Sequence, residues 1–250
     1  MQLNDKVVLI TGAGGGIGRE TAISLAKEGA KLVLFGGTKR EKLDKTAELI
    51  KPFGEVLAIF DGDLTCDNVL QDLFNKFEKQ IGKLDILINN AGLAQSEKFE
   101  NVSTNALDRI MNINFRAPYL LTQKLLPYLK KSSSASVINI ASVVSHAGYP
   151  LQSAYVASKH ALLGFTKSLA AEVYNDGVRV HAISPGGVYT DMVKVSRPDL
   201  TADGMIMPQE IADIVLFLLK NRGNAVIDEI IVHRVNKQPF LVYTDRLIFD

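Results

Sequence analysis

A tyrosine and a lysine four residues apart, Tyr155 and Lys159 in "AYVASK", are side chains suited to moving a proton. On a helix that spacing places both on one face, one turn apart. An ammonium beside a phenol favours phenolate, so the pair predicts a Tyr155 pKa drawn down from about 10 toward neutrality. A fall of about 3 units corresponds to about 4 kcal/mol, within reach of a close cation in a poorly solvated cleft. Ser142 lies upstream in the same stretch, "SVVSHAGYPLQSAYVASK". Alone, Tyr-x-x-x-Lys equally describes a solvated helix face. The elements around it have to decide.

Near the N-terminus, "KVVLITGAGGGIGRE" sets a short apolar run, Val7 to Ile10, directly before a cluster of glycines. The run reads as a buried parallel strand. After the glycines, Ile17, Ala22, Ile23, Leu25 and Ala26 recur at roughly helical spacing, and Gly29 is a natural stop. Strand, glycine turn and helix are what a dinucleotide pyrophosphate requires. Glycines let the backbone approach the phosphates, and the helix start offers free N–H donors and a positive dipole end. The spacing is Gly12-x-x-x-Gly16-x-Gly18, a variant of the commoner Gly-x-Gly-x-x-Gly.

The length, 250 residues with 47% hydrophobic content, suits one large α/β domain with a substantial core. A net charge of +1 with both signs interspersed provides no basic face for nucleic acid. No apolar stretch approaches the ~20 residues of a membrane span, and nothing reads as a signal peptide. The single cysteine, Cys66, has no internal partner, so a cytoplasmic setting is expected. The four histidines (His146, His160, His181, His233) lack metal-ligand spacing, so neither a metal nor a Ser-His-Asp triad is expected.

Apolar runs alternate with amphipathic stretches along the whole chain. Strands are expected at 7–10, 32–35, 56–59, 86–88, 137–140, 178–183 and 229–232, with helices at 40–51, 69–80, 116–129, 154–174 and 209–219. Such alternation predicts a single Rossmann-type doubly wound parallel sheet of about seven strands, helices on both faces. In such a sheet ligands lie beyond the carboxyl ends of the strands, where the glycine turn falls.

The motif "TGAGGGIG" resembles the signature of the short-chain dehydrogenase/reductase family, and further matches follow in order. They are "DGDLT" at 61–65, "LDILINNAG" at 84–92, "MNINF" at 111–115, "VINIASVVS" with Ser142 thirteen residues before Tyr155, and "AISPGGVYTDM" at 182–192. The resemblance covers residues 5 to about 220, and the stretch 154–192 is most similar to 3-oxoacyl-[acyl-carrier-protein] reductase-like members. It implies an NAD(P)-dependent oxidoreductase moving a hydride between nicotinamide and a carbonyl carbon. Tyr155 would act as general acid or base, with Ser142 hydrogen-bonding the reacting oxygen. Lys159 would lower the Tyr155 pKa and hold the nicotinamide ribose, and Asn114 would anchor a proton-relaying water. The implied cofactor contacts are Gly12, Gly14, Gly15, Gly16, Ile17 and Gly18 at the turn, Gly37 and Thr38 after the second strand, and Asp63 and Leu64 at adenine. Asn90, Ala91, Gly92, Pro185, Gly186, Val188 and Thr190 complete the set with Tyr155 and Lys159.

The second strand ends "LFGGTKREK", with no acid at Gly36 or Gly37 to bond the adenosine ribose. A hydroxyl and two cations, Thr38, Lys39 and Arg40, favour a 2′-phosphate, so NADP(H) is favoured over NAD(H). Against this, Gly15 and Gly37 stand where many NADP-dependent relatives carry basic residues, and Lys39 and Arg40 also suit a helix start. The rival readings are an NAD-dependent sugar-alcohol or hydroxy-acid dehydrogenase and a non-catalytic nucleotide-sensing regulator. Expected partners are a small-molecule or carrier-linked carbonyl or alcohol substrate, with Lys194 and Arg197 as candidate carrier contacts, and a second copy in a homodimer or homotetramer. Ser158 is expected to pack against the sheet, and His146 to be a loop residue on the substrate side. Two regions depart from the family pattern: a short substrate-covering loop, about 192–207, and the tail at 233–250, which reads as an added edge strand or exchanged arm.

Overall fold

Short runs of Val, Ile and Leu build strands that are buried on both sides, so they are apolar throughout instead of alternating. The computed structural model describes residues 3–196 and 201–235. Its strands are β1 (Val7–Thr11), β2 (Lys31–Gly36), β3 (Glu55–Asp61), β4 (Ile86–Asn89), β5 (Ser136–Ile140), β6 (Arg179–Pro185) and β7 (Glu229–Val232). They form one parallel sheet in the order β3-β2-β1-β4-β5-β6-β7. All seven match the expected strands to within a few residues. Parallel strands need crossovers, and these are helical: α1 (Gly16–Lys27), α2 (Arg40–Ile50), α3 (Asp67–Gln80), α4 (Thr104–Met111), α5 (Ala117–Leu129), α6 (Ser153–Val173), α7 (Asp191–Ser196) and α8 (Pro208–Lys220).

Strands β1 to β6 each feed two cores, and β7 feeds one of them. From β1, Val8 and Ile10 face Leu25 of α1, Leu43 of α2 and Val215 of α8. Val7 and Leu9 face Phe77 of α3, Leu125 of α5 and Leu169 of α6. Each fully buried leucine contributes about 2 kcal/mol by leaving water.

From β1 the chain runs outward through β2 and β3, then returns to pair β4 on the other side of β1. That reversal opens a crevice at the carboxyl ends of β1 and β4. Thr11 and Asn90 lock its floor. Thr11 Oγ1 accepts from Asn90 N and Ala91 N at 3.0 Å each, and Asn90 Nδ2 donates to Thr11 O at 2.9 Å.

Three features differ from the sequence expectation. Residues 104–111 form α4, capped by Ser103 accepting from Ala106 N at 3.2 Å, where no helix was expected. A five-residue π-helical stretch, Asn112–Arg116, joins α4 to α5. The covering segment begins with a short helix, α7, and Tyr189 N and Ile206 N exchange bonds with Ile206 O and Gly187 O across its base. Arg197 and most of the tail read as an edge strand or exchanged arm lie outside the described residues. Among the described residues, no helix is long and apolar enough to cross a membrane.

Candidate active site

The catalytic candidates converge on one wall. Ser142 follows β5, and Tyr155 and Lys159 lie one turn apart near the start of α6. All three line a cleft of about 270 Å³ together with Gly12, Gly15, Gly16, Ile17, Asn90, Ala91, Gly92, Pro185, Gly186, Val188 and Thr190. A second hollow of about 250 Å³ is lined by Gly37, Thr38, Asp63 and Leu64. Gly12, Ala91 and Gly92 border both, so the two hollows meet beside the glycine turn.

The start of α6 is held from outside the helix. Gln95 Oε1 accepts from Ala154 N at 2.8 Å and Tyr155 N at 3.3 Å, which fixes the first turn and with it Tyr155. Lys159, 4% exposed, donates to Ile140 O at 2.7 Å. Its Nζ lies 5.9 Å from the Tyr155 ring centroid. Burial draws the Lys159 pKa down to about 8.

The expected fall of the Tyr155 pKa is corrected here. Burial pushes the phenol above 10, and hydrogen bonding from Ser142 offsets only part of the rise. The lysine is turned toward a backbone carbonyl, leaving desolvation dominant. The Tyr155 ring nevertheless keeps part of its surface open to the cleft, so solvent moderates that push. Ser142 is 7% exposed, donates to Pro185 O at 3.3 Å and accepts from Val144 N at 3.4 Å.

Asn114 stands behind this wall, not on it. The π-helical stretch turns its side chain toward the loop after β4, where Oδ1 accepts from Leu93 N at 2.8 Å and Nδ2 donates to Leu93 O at 2.9 Å. Nδ2 also donates to Ser158 Oγ at 2.9 Å, and Ser158 donates on to Tyr155 O at 2.7 Å. Ser158, fully buried, therefore bridges Asn114 to the backbone of Tyr155. Asn114 Oδ1 would lie 3.3 Å, and Lys159 Nζ 3.7 Å, from a Cβ placed on Gly92.

At the glycine turn, Gly12 (φ +68) takes a conformation that favours glycine. Gly18 is required by contact, since a Cβ there would sit 2.3 Å from Gly12 O. Gly14 and Gly18 do not line the cleft. Gly14 carries its carbonyl to the Arg19 guanidinium, and Gly18 packs α1 onto the turn. No side chain caps α1 at Gly15, so the N–H groups of its first turn are left for a ligand in the cleft. An anionic pyrophosphate fits such a helix start, and the residues present suit a dinucleotide.

Several wall residues escaped sequence reasoning. Lys42 and Asp191 face each other across the cleft mouth, Nζ to Oδ2 3.5 Å. Arg109, on the unexpected helix α4, lines the second hollow and donates to Asp63 Oδ2 at 2.9 Å. Asp63 Oδ1 accepts from Thr65 N and Oγ1, and the Thr65 backbone bond, with Arg109, holds its pKa below the ordinary carboxylate value despite burial. Arg40 opens α2 and is paired with Asp44 at 2.9 Å and Asp61 at 3.0 Å, so two carboxylates already neutralise it.

A doubly wound parallel sheet, an uncapped glycine turn at its reversal point and a Ser–Tyr–Lys wall beside it define a Rossmann-type oxidoreductase site. The chain belongs to the short chain dehydrogenase family, whose profile matches residues 6–201, and is an NAD(P)-dependent enzyme of alcohol and carbonyl groups. It is 31% identical over 241 residues to the 3-oxoacyl-[acyl-carrier-protein] reductase FabG of Thermotoga maritima, covering 92% of this chain and 97% of that protein. The crystal structure of levodione reductase superposes with a TM-score of 0.83 at 31% identity, covering 92% of this chain and 96% of that one. An alcohol dehydrogenase from the archaeon Thermococcus sibiricus, complexed with 5-hydroxy-NADP, superposes with a TM-score of 0.84 at 28% identity, covering 94% and 99%.

Proposed function

We propose that this chain is a single-domain, NADP(H)-preferring carbonyl reductase in which Tyr155 is the general acid. The observation that carries this reading is the meeting of Ser142, Tyr155 and Lys159 on one wall of a cleft whose opposite wall is the glycine turn. A nicotinamide held beside these residues would supply the hydride. As negative charge grows on the substrate oxygen, the Tyr155 hydroxyl gives it a proton and the Ser142 hydroxyl donates a hydrogen bond to it. Lys159, with a pKa near 8, can pass a proton toward Tyr155 close to neutral pH. A Tyr155 phenol held above its ordinary pKa is protonated at neutral pH, the state that reduction needs. Asn114 positions this group through Leu93 and Ser158 instead of touching substrate.

Support for NADP(H) comes from Thr38 and the absence of an acid at Gly36 or Gly37, and from exposed Lys39. Pairing of Arg40 with Asp44 and Asp61 removes one cation from that argument and favours the NAD-dependent dehydrogenase as second reading. The substrate is a small or carrier-linked carbonyl compound. Lys194, a candidate carrier contact, stacks over the Tyr189 ring at 4.6 Å. The half-exposed aromatic group of Phe115 on the π-helical stretch, Tyr119 on α5 and Phe165 on α6 suits a homodimer or homotetramer contact. The single cysteine supports a cytoplasmic setting. Fluorescence titration with NADPH and NADH, for wild type and Lys159→Ala, tests the reading. Tight NADPH binding weakened by the substitution is expected. Preference for NADH would move the function to the NAD-dependent reading, and binding of neither would leave the regulator or a scaffold.

A further inference from the structure

Glu229 is the first residue of β7, and its carboxylate is 12% exposed. One oxygen, Oε1, meets two partners at 2.6 Å each, His146 Nε2 and Ser184 Oγ. The other, Oε2, lies 3.6 Å from Lys167 Nζ on α6. Burial alone would raise the Glu229 pKa, but Ser184, His146 and Lys167 together hold it below the ordinary value, so the carboxylate stays ionised at neutral pH.

The two partners of Oε1 bracket Ser142. On one side, Ser142 begins the short 3-10 turn Val143–Ser145, and His146 ends it. Within that turn the backbone bonds are local: Val144 N to Ser142 Oγ, Ser145 N to Ser142 O and His146 N to Val143 O. The His146 side chain carries the turn across to β7. On the other side, Ser184 precedes Pro185, whose carbonyl accepts from the Ser142 hydroxyl at 3.3 Å. A single carboxylate oxygen thus fixes both the turn that presents Ser142 and the strand end against which its hydroxyl rests.

We propose that Glu229 is a positioning residue that, through His146 and Ser184, holds the Ser142 hydroxyl in line for the substrate carbonyl oxygen. The proposal rests on the reading of Ser142 given above. It gives the last strand of the sheet a part in the reaction without contact to substrate or cofactor. It also gives the His146 ring a role, since its Nε2 meets a carboxylate on β7.

The test compares Glu229→Ala, Glu229→Gln, His146→Ala and the double substitution with wild type. The assays are NADPH-dependent reduction of 2,3-butanedione, NADPH binding by fluorescence, and hydrogen–deuterium exchange across residues 142–146. Glu229→Ala is expected to lower kcat by about ten- to a hundredfold, as for a reacting group displaced by up to about 1 Å, with NADPH affinity unchanged. Exchange at Val144–His146 should quicken while that of α1 and α8 stays fixed. Glu229→Gln, whose amide oxygen can still accept both bonds, should stay within about threefold of wild type, and His146→Ala should add little to Glu229→Ala. Wild-type turnover and loop exchange both retained in Glu229→Ala would overturn the inference, as would Glu229→Gln falling as far as Glu229→Ala. An inactive wild type with no dependence on Tyr155 would refute the reductase reading instead, and the exchange comparison would still decide whether Glu229 holds the turn.

Discussion

Two buried charges lie at opposite ends of the same parallel sheet and are treated in opposite ways. At the amino end, Asp85 immediately precedes β4 with its side chain 2% exposed. Val7 N donates to it at 3.0 Å and Ser132 Oγ at 2.5 Å, and Lys6 and Lys83 each stand 3.4 Å away. Burial would raise its pKa, but these donors more than offset that and hold it below the usual carboxylate range. At the carboxyl end, Lys159 is also almost fully enclosed and has one neutral partner, Ile140 O. Among the described residues no carboxylate lies within ion-pair distance of it. Burial then goes unopposed and the pKa falls to about 8. One end of the sheet compensates its charge and gains stability. The other leaves a charge uncompensated and gains a group that can exchange a proton near neutral pH.

The sharpest way to separate the two ends is to remove one group from each. Tyr155→Phe deletes the proton and leaves the packing, so kcat should fall about 10²- to 10⁴-fold. The melting temperature should stay within about 2 °C. Turnover above about a tenth of wild type would mean that the acid is elsewhere and that the carboxyl end has been misread. Asp85→Ala should do the reverse. It leaves Val7 N and the Ser132 hydroxyl without their acceptor, for an expected loss of about 3 kcal/mol in urea unfolding. Lys83, with its side chain 60% exposed, contributes little of that, whereas the part-buried Lys6 also loses its acceptor. Per folded molecule, kcat should be unchanged. A drop in kcat comparable to that of Tyr155→Phe would dissolve the distinction.

The two ends were also unequally legible in the sequence. At the carboxyl end the pieces carry signals of type and spacing: glycines at 12, 16 and 18, and Ser142, Tyr155 and Lys159. All but Gly18 of these line the cleft. What the sequence could not provide was orientation. The four-residue spacing of Tyr155 and Lys159 suggested a charge pair. The chain instead turns Lys159 toward Ile140 O, and that choice reverses the direction of the Tyr155 shift. Arg40 looked like a phosphate ligand because its partner Asp61 on β3 cannot be read from local composition, although Asp44, one helical turn on, can. Helix α4 was missed although Ser103 is a sound cap, because the eight residues that follow bury one side chain, Ile110. With so narrow an apolar stripe, Arg109 and its contact with Asp63 were invisible. The Asp85 and Glu229 clusters join residues dozens of positions apart, and no periodicity announces such contacts.

A smaller effect tests the Lys159 half of the comparison through pH. Its folded pKa, about 8, lies below the ordinary lysine value of 10.5, so between these values the unfolded chain binds more protons than the folded one. Stability from this group therefore rises with pH across that window, by about 3 kcal/mol in all. Asp85 behaves oppositely in origin: its contribution is present above the ordinary carboxylate range and is lost as pH falls through its depressed folded value. The test is urea unfolding of wild type and Lys159→Met at pH 7 and pH 10. Wild type should gain on the variant by roughly 2 to 3 kcal/mol over that interval. Parallel curves would mean that Lys159 is compensated by a partner, and the contrast with Asp85 would fail.

The smallest expected effect concerns space. At Gly18 the protein itself forbids a side chain, with Asn90 Nδ2 2.5 Å and Gly12 O 2.3 Å from any Cβ. Three residues earlier, a Cβ on Gly15 meets nothing within 4 Å, and its backbone is extended at φ −177, which any residue adopts. Glycine at 15 is thus not required by the fold, and Gly15→Arg should leave the melting temperature unchanged. A guanidinium there would project along the start of α1 toward the adenosine side of the cleft. At such a wet site one added cation beside a 2′-phosphate is worth about 1 kcal/mol, so the ratio of NADPH to NADH affinity should rise about fivefold. The gain should shrink with added salt, because the site is open to counterions. An unchanged ratio would place the 2′-position away from Gly15 and Thr38 and strengthen the NAD-dependent reading. A lost melting temperature would show that the open space belongs to the fold, as it does at Gly18, and not to the ligand.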